Sequence, residues 1–158
     1  MPATTNDRPP ARTGGELADL AVALERTLSW ARRAVRPAEW SAIALSTLDA
    51  VERLGPLRVT ELTARERITQ PGMTGLVARL AAAGLVERHA DPSDGRATLV
   101  AISAAGRDYL HELHRRRADA IAAHIRELPI HHQRALVAAG AALTALSARP
   151  ATRDSAPA

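Results

Sequence analysis

The chain contains no cysteine, no phenylalanine and no lysine. Without cysteine there can be no disulfide, no thiol redox sensor and no Cys-ligated zinc. Two Trp and one Tyr are the whole aromatic content. The core must therefore be assembled from Leu, Val, Ile and Ala, side chains that suit close helix–helix packing. No apolar run approaches the roughly 20 residues needed to span a bilayer. The opening stretch MPATTNDRPPARTGG lacks the apolar segment of a secretory signal, so a cytoplasmic location is expected. A Gly-rich phosphate loop, a GxSxG elbow and an HExxH pair are all missing. No other nucleophile–base or metal constellation replaces them, so the expectation is a protein that is not an enzyme and needs no cofactor.

What the 158 residues do offer is 46% hydrophobic side chains, enough for one domain with a core. All 21 basic residues are arginine, set against 17 acidic ones for a net charge of +4. A surplus that small occurs in many proteins that never meet DNA, although arginine is the side chain that binds phosphate and guanine in bidentate fashion. Residues 1–15 and 150–158 are rich in Pro, Thr, Arg, Gly and Ala and are expected to be disordered tails. The folded part is expected over 16–149.

Hydrophobic periodicity divides that part into about six helices and two strands. The first helix, from about Glu16 to Val35, carries Leu17, Leu20, Leu24 and Leu28 on one stripe and stops before Pro37. A second, from about Ala38 to Leu54, presents Trp40, Ile43, Ala44, Leu48 and Val51 and ends at Gly55-Pro56. A short extended piece, Leu57-Arg58-Val59, leads to a third helix over Glu61–Glu66 with Thr60 as its cap. The fourth begins near Thr69 or Gln70, has Pro71 in its first turn, buries Met73, Leu76, Val77 and Leu80, and stops at Gly84. Leu85–His89 and Ala97–Ile102 alternate like two strands, with turn chemistry from Asp91 to Gly95 between them. Ser103 caps a fifth helix, about Ala104 to Leu128, and a sixth follows Pro129, about Ile130 to Ser147.

A short polar helix followed by a hairpin with a basic residue is the sequence pattern of a winged helix-turn-helix. The fourth helix is the candidate recognition helix. With its apolar stripe turned inward, Gln70, Gly72, Thr74, Gly75 and Arg79 face out, and Thr69 to Gly72 offer a helix N-terminus that suits a phosphate. Gln pairs with adenine, and Thr contacts a thymine methyl or a phosphate. An ordinary capped surface helix would look similar; the hairpin behind it is what distinguishes the two. In that hairpin Arg96 suits a narrow minor groove, and Arg88 is either a phosphate contact or a solvated strand arginine. Asp94 would be repelled by phosphate, so it is expected to pair with Arg96 or Arg79, or to close an Asx-turn on its own backbone.

His111 and His114 stand three apart on a helix, and His131-His132 are adjacent. Zinc would need further ligands that the spacing does not supply, so these read as solvated histidines and no metal is expected. Arg115-Arg116-Arg117, with Asp108, Glu112 and Asp119 nearby, reads as a charged helix face.

The stretch LTARERITQPGMTGLVARLAAAGLVERHADPSDGRATLVAISAAG resembles the winged-helix core of the MarR (multiple antibiotic resistance regulator) family. The marks are the DPSDGR wing, the LVARL helix end before AAGLVER, and the ISAAGR opening of a long helix. The resemblance covers about Glu16 to Arg149. It implies a mainly α, α+β winged helix-turn-helix fold with a two-stranded wing, in which 38–102 form the DNA-binding lobe and 16–36 and 103–149 the dimerisation helices. It also implies a homodimeric regulator of transcription, usually a repressor, on a pseudo-palindromic operator in double-stranded DNA, often released by a small aromatic or anionic ligand. By the resemblance Arg96 is the minor-groove arginine, Asp94 its positioning partner, and Gln70 to Arg79 the major-groove reader. The chain departs from the family at Gly72 and Gly75, where many relatives carry larger polar or basic side chains. Leu17, Leu20, Leu24, Ile121, Ile125, Leu136 and Leu143 are the expected dimer contacts, because a winged lobe is too small to bury three further apolar stripes. A ligand pocket is expected near Trp30, Trp40 and the second and fifth helices. The alternative reading is a helical protein–protein interaction adaptor with a vestigial wing.

Overall fold

The computed structural model describes residues 14–37 and 39–148. The described residues fall into two compact units, one ending at Ala118 and the other starting at Asp119. The expected tails at 1–13 and 150–158, and Ala38 as the start of the second helix, lie outside the described residues.

The first unit is built in the order α1 (Gly14–Ala34), α2 (Ala42–Leu54), β1 (Leu57–Arg58), α3 (Val59–Glu66), α4 (Gln70–Ala82), β2 (Val86–Asp91), β3 (Asp94–Ile102) and the first part of α5 (Ala104–Arg126). Gly14 and Gly15, expected in the tail, belong to the first turn of α1. Ser41 caps α2 by accepting the Ala44 N–H at 3.2 Å, so the helix starts later than its apolar pattern suggests. The buried face of α2 is Ala44, Thr47, Leu48, Ala50 and Val51. Ile43, expected inside, is 37% exposed. The buried Thr47 satisfies its hydroxyl by donating to the Ile43 carbonyl at 2.8 Å, which lets a polar side chain sit in the core without loss. In α3 the cap is Arg58 rather than Thr60: the Glu61 carboxylate, three residues on, reaches back to accept the Arg58 N–H at 2.7 Å.

The sheet has three strands in the order β1-β3-β2, all antiparallel, one more than the two-stranded wing expected. The extended piece Leu57-Arg58 supplies the extra strand by pairing with Val100 and Leu99. Leu48, Val51, Leu62, Met73, Leu76, Val77, Leu80, Val86, Val100 and Leu110 form one cluster at the junction of α2, α3, α4, the sheet and α5. Burial of each such aliphatic side chain contributes about 1.5–3 kcal/mol.

Two glycines hold this arrangement. Gly84, at φ +73°, ends α4 in the left-handed region, with its N–H bonded to the Ala81 carbonyl and the Leu85 N–H to the Leu80 carbonyl, both at 2.9 Å. Gly106, in the first turn of α5, packs directly on the Leu85 carbonyl. Between them, the Ser103 hydroxyl donates to the Gly84 carbonyl at 2.5 Å and accepts the Gly106 N–H at 2.9 Å.

The second unit holds the end of α5, α6 (Ile130–Ala138) and α7 (Gly140–Ser147). The single sixth helix expected from the sequence is two. The ladder nearly continues across the break, since the Ala139 N–H still reaches Ala135 and the Leu143 N–H reaches Ala139, each at 3.0 Å. Gly140, the residue after the break, has the freer backbone of a residue without Cβ, which costs a helix about 1 kcal/mol relative to alanine.

A Cβ at position 106 would overlap the Leu85 carbonyl oxygen and press on Ile102. Gly106→Ala is therefore expected to destabilise the protein by about 1–3 kcal/mol, measured as a lowered midpoint of urea unfolding; an unchanged midpoint would refute the close packing.

Candidate nucleic-acid interface

The geometry of α4 follows from its cap and its stripe. The Thr69 hydroxyl accepts the Gly72 N–H at 3.3 Å and Pro71 occupies the first turn, where a missing N–H is harmless. Met73, Leu76, Val77 and Leu80 are all buried. Gln70, Gly72, Thr74, Gly75 and Arg79 consequently lie on the exposed face, as the sequence suggested, together with Ala78. No acidic residue occurs anywhere in α4.

The α3–α4 turn places Arg67 at φ +52°, the one non-glycine residue with positive φ among the described residues. It brings the cap of α4 directly after α3, which is the spacing of a helix-turn-helix.

The wing departs from the expected turn. The strands close at Pro92-Ser93, and Asp94 already pairs with Asp91. Ala90 pairs with Thr98, so Gly95, Arg96 and Ala97 have no partner in β2 and form a bulge. Bulges redirect side chains, and here the redirected one is Arg96, which is exposed. Arg88, paired in register with Val100, is also exposed. Asp94 accepts the backbone N–H of Arg96 at 3.1 Å, the Asx geometry considered above. Among the described residues no ion pair joins Asp94 to Arg96 or Arg79, so its hold on Arg96 runs through the main chain.

The strongest polar contact in the wing involves residues the sequence reading left unassigned. Arg58 on β1 donates from Nε to Asp91 Oδ2 at 2.6 Å and from Nη2 to Ser93 Oγ at 3.0 Å. Asp91 Oδ1 accepts the Ser93 N–H at 2.8 Å and its hydroxyl at 2.6 Å. Asp91 is 6% exposed. The Ser93 bonds first, and then Arg58, lower its carboxyl from 3.8 to about 2. The Asp-Pro-Ser tripeptide advertises the local half of this contact; its partner, 33 residues upstream, leaves no sequence signal.

A cleft of about 610 Å³ lies elsewhere in the first unit, lined by the end of α1, by α2 and by α5. Trp40, Arg32, Arg36, His114 and Arg117 are on its wall; Trp30 is not among its lining residues. Arg117 donates to the Val35 carbonyl at 3.4 Å, and burial, then the nearby Arg32, works against its charge. The two carboxylates of the cleft already have partners: Asp49 pairs with Arg53 at 2.9 Å and Glu66 accepts the Ser46 hydroxyl at 2.9 Å. Of the histidines, His111 meets Glu52 at 3.0 Å. Among the described residues no three His, Asp or Glu side chains converge as a metal site, and no helix is long and apolar enough to cross a membrane.

The lowered Asp91 carboxyl carries a pH signature. The unfolded chain takes up its proton near pH 4 and the folded chain only near 2, so this contribution to stability is complete above about pH 4 and fades as the pH falls to about 2. The acid limb of the stability curve should be shallower in Asp91→Asn than in the parent over that interval, measured by urea unfolding; parallel curves would refute the contact.

Known proteins repeat this architecture. Residues 41–97 match the model of the MarR family. An uncharacterized HTH-type transcriptional regulator of Mycobacterium leprae is 37% identical over 82 residues, which are 50% of this chain and 57% of that protein. The chain thus spans little more than half the length of the curated relatives it matches. Among solved structures, a transcriptional regulator of Thermotoga maritima superposes with a TM-score of 0.70 at 22% identity, covering 85% of this chain and 94% of the other. A transcriptional regulator protein of Pseudomonas aeruginosa does so at 0.65 and 29% identity, covering 87% and 99%. The matched stretch runs from the cap of α2 into the bulge of β3, so the helix-turn-helix and its wing are the part of this chain that is similar to the MarR family.

Proposed function

We propose that this chain regulates transcription by binding double-stranded DNA as a homodimer on a pseudo-palindromic operator, where it blocks the promoter as a repressor. The observation that carries the reading is the outer face of α4. It is exposed, capped at its N-terminus and free of acidic side chains, while its opposite face is anchored in the core. Such a helix enters the major groove with Thr69, Gln70, Thr74 and Arg79 toward base edges and phosphates, and Arg96 in the wing reaches the adjoining minor groove. Arg88 supplies a phosphate contact.

Dimerisation is supported by apolar side chains left uncovered in a single chain. In α1, Leu17, Leu20 and Leu28 are 54%, 48% and 50% exposed. In the second unit, Leu136, Val137, Leu143 and Leu146 of α6 and α7 are 39%, 79%, 38% and 57% exposed. Leu24, Ile121 and Ile125 are half-buried. A two-fold partner covers these faces and sets two recognition helices about one turn of DNA, some 34 Å, apart. The cleft has the size of a small-molecule site, and its arginines with Trp40 suit an aromatic acid, a ligand that would release the operator. The adaptor reading draws support only from the missing side chains at Gly72 and Gly75.

Binding to a duplex selected from a random-sequence pool should weaken steeply with added salt, because each phosphate contact releases counterions. Arg96→Ala should cost about 1–3 kcal/mol of that binding; equal affinity would exclude the wing from the interface. The double variant Leu136→Glu/Leu143→Glu should sediment as a monomer and lose the duplex, and a persisting dimer would refute the role of α6 and α7. A thermal-shift screen with aromatic acids that moves no melting temperature would end the ligand reading.

A further inference from the structure

The sheet order puts β3 between β1 and β2. Arg58 on β1 is registered with Leu99 of β3, whereas Asp91 is the last residue of β2. Their 2.6 Å ion pair therefore joins the two outer strands across the middle one. The strand it crosses is the one that carries the unpaired Gly95-Arg96-Ala97, and the bulge is closed at its far end by the Asp91–Asp94 pair. A three-residue bulge has no ladder of its own to hold its shape. Here one end of it is tied by Asp91 and its span is bridged by the Arg58 side chain.

Arg58 also begins α3, with its backbone N–H held by Glu61. One residue is thus bonded both to the first helix of the helix-turn-helix and to the wing, and the wing cannot swing against α3 without breaking the pair. We propose that Arg58 and Asp91 are positioning residues for Arg96: they set its reach and angle from behind the bulge and do not touch DNA themselves. The inference rests on the DNA-binding reading above.

The local electrostatics fit this division of labour. Both Asp91 oxygens are occupied and the side chain is almost covered, so it presents little charge to a phosphate. The Arg58 guanidinium is matched by that carboxylate and by Ser93, so its charge is neutralised where it stands. Arg96, in contrast, meets Asp94 only through its backbone and keeps its guanidinium for another partner.

The test is a double-mutant cycle between Asp91→Asn and Arg96→Ala, read as affinity for the duplex selected by the parent protein. Asp91→Asn is expected to weaken binding about tenfold in the parent, a coupling of the size found between directly linked residues. In the Arg96→Ala background the same change is expected to shift affinity less than twofold. An equal loss in both backgrounds, or no loss in the parent, overturns the proposal. Arg58→Gln provides a second route if Asp91→Asn does not fold. It should weaken binding in the same Arg96-dependent way and leave the salt slope unchanged, whereas a slope reduced by about one would mark Arg58 as a phosphate contact and overturn the positioning role. If the parent selects no duplex, it is the DNA-binding reading that fails, and the two failures are told apart.

Discussion

What α4 offers outward depends on what it buries. Met73, Leu76, Val77 and Leu80 are at most 3% exposed, and they sit among aliphatic side chains from α2, α3, the sheet and α5. Turning the helix by one residue, about 100°, would drive Gln70 or Thr74 into that cluster and leave a buried leucine in water. Placing one polar side chain in an apolar site costs about as much as the burial of an aliphatic one contributes, so the penalty is felt twice. The outer face is thereby fixed to within a small rotation before any partner arrives. A core without phenylalanine achieves this through many small contacts in place of a few large ones, which leaves little room for repacking.

The same rigidity extends to the wing from both ends. At its base, the Ser103 hydroxyl joins the turn after α4 to the first turn of α5, and Gly106 lets that turn lie against the Leu85 carbonyl. At its tip, Arg58 and Ser93 hold Asp91. Between these ties the hairpin is regular, paired residue for residue from Val86–Ile102 to Ala90–Thr98. The only interruption is the bulge that carries Arg96. A fold that pins both ends of a hairpin and interrupts its pairing only beside the tip has set one basic side chain outside the regular ladder while holding the strands around it.

Much of this was legible in the chain and some was not, for reasons that differ by residue. The helices with a strong period, a capping residue and a stop signal were read nearly to their ends, as with Thr69 and Gly84 for α4. The outer face of α4 followed from the same period. The start of α3 was misread because Thr60 is a better cap by type than Arg58, whereas the deciding bond comes from Glu61 three residues on. The break at Ala139 was hidden because alanine-rich sequence continues on both sides. The bulge and the Arg58–Asp91 pair were invisible for a deeper reason: both are consequences of strand register, and pairing between residues 33 apart is not encoded in any local pattern. For Asp94 charge and spacing leave two readings open, a pair with a guanidinium and an Asx-turn, and the shorter path to the backbone is the bond that forms.

The two glycines of α4 are not equivalent. A Cβ at position 72 would stand 3.1 Å from the Thr69 hydroxyl oxygen, tight enough to strain the cap. Glycine there is accounted for by the helix itself. At position 75 nothing lies within 4 Å of where a Cβ would be. Alanine would fit, and it would favour the helix by about 1 kcal/mol. No demand inside the fold selects glycine at that point, one turn into the exposed face. A bare backbone in the middle of a helix that is otherwise well capped and well anchored lets another surface approach more closely than any side chain would permit. On the DNA-binding reading proposed above, that exchange would give up one base contact for depth in the groove, and it would leave sequence readout to Gln70, Thr74, Arg79 and the duplex shape met by Arg96.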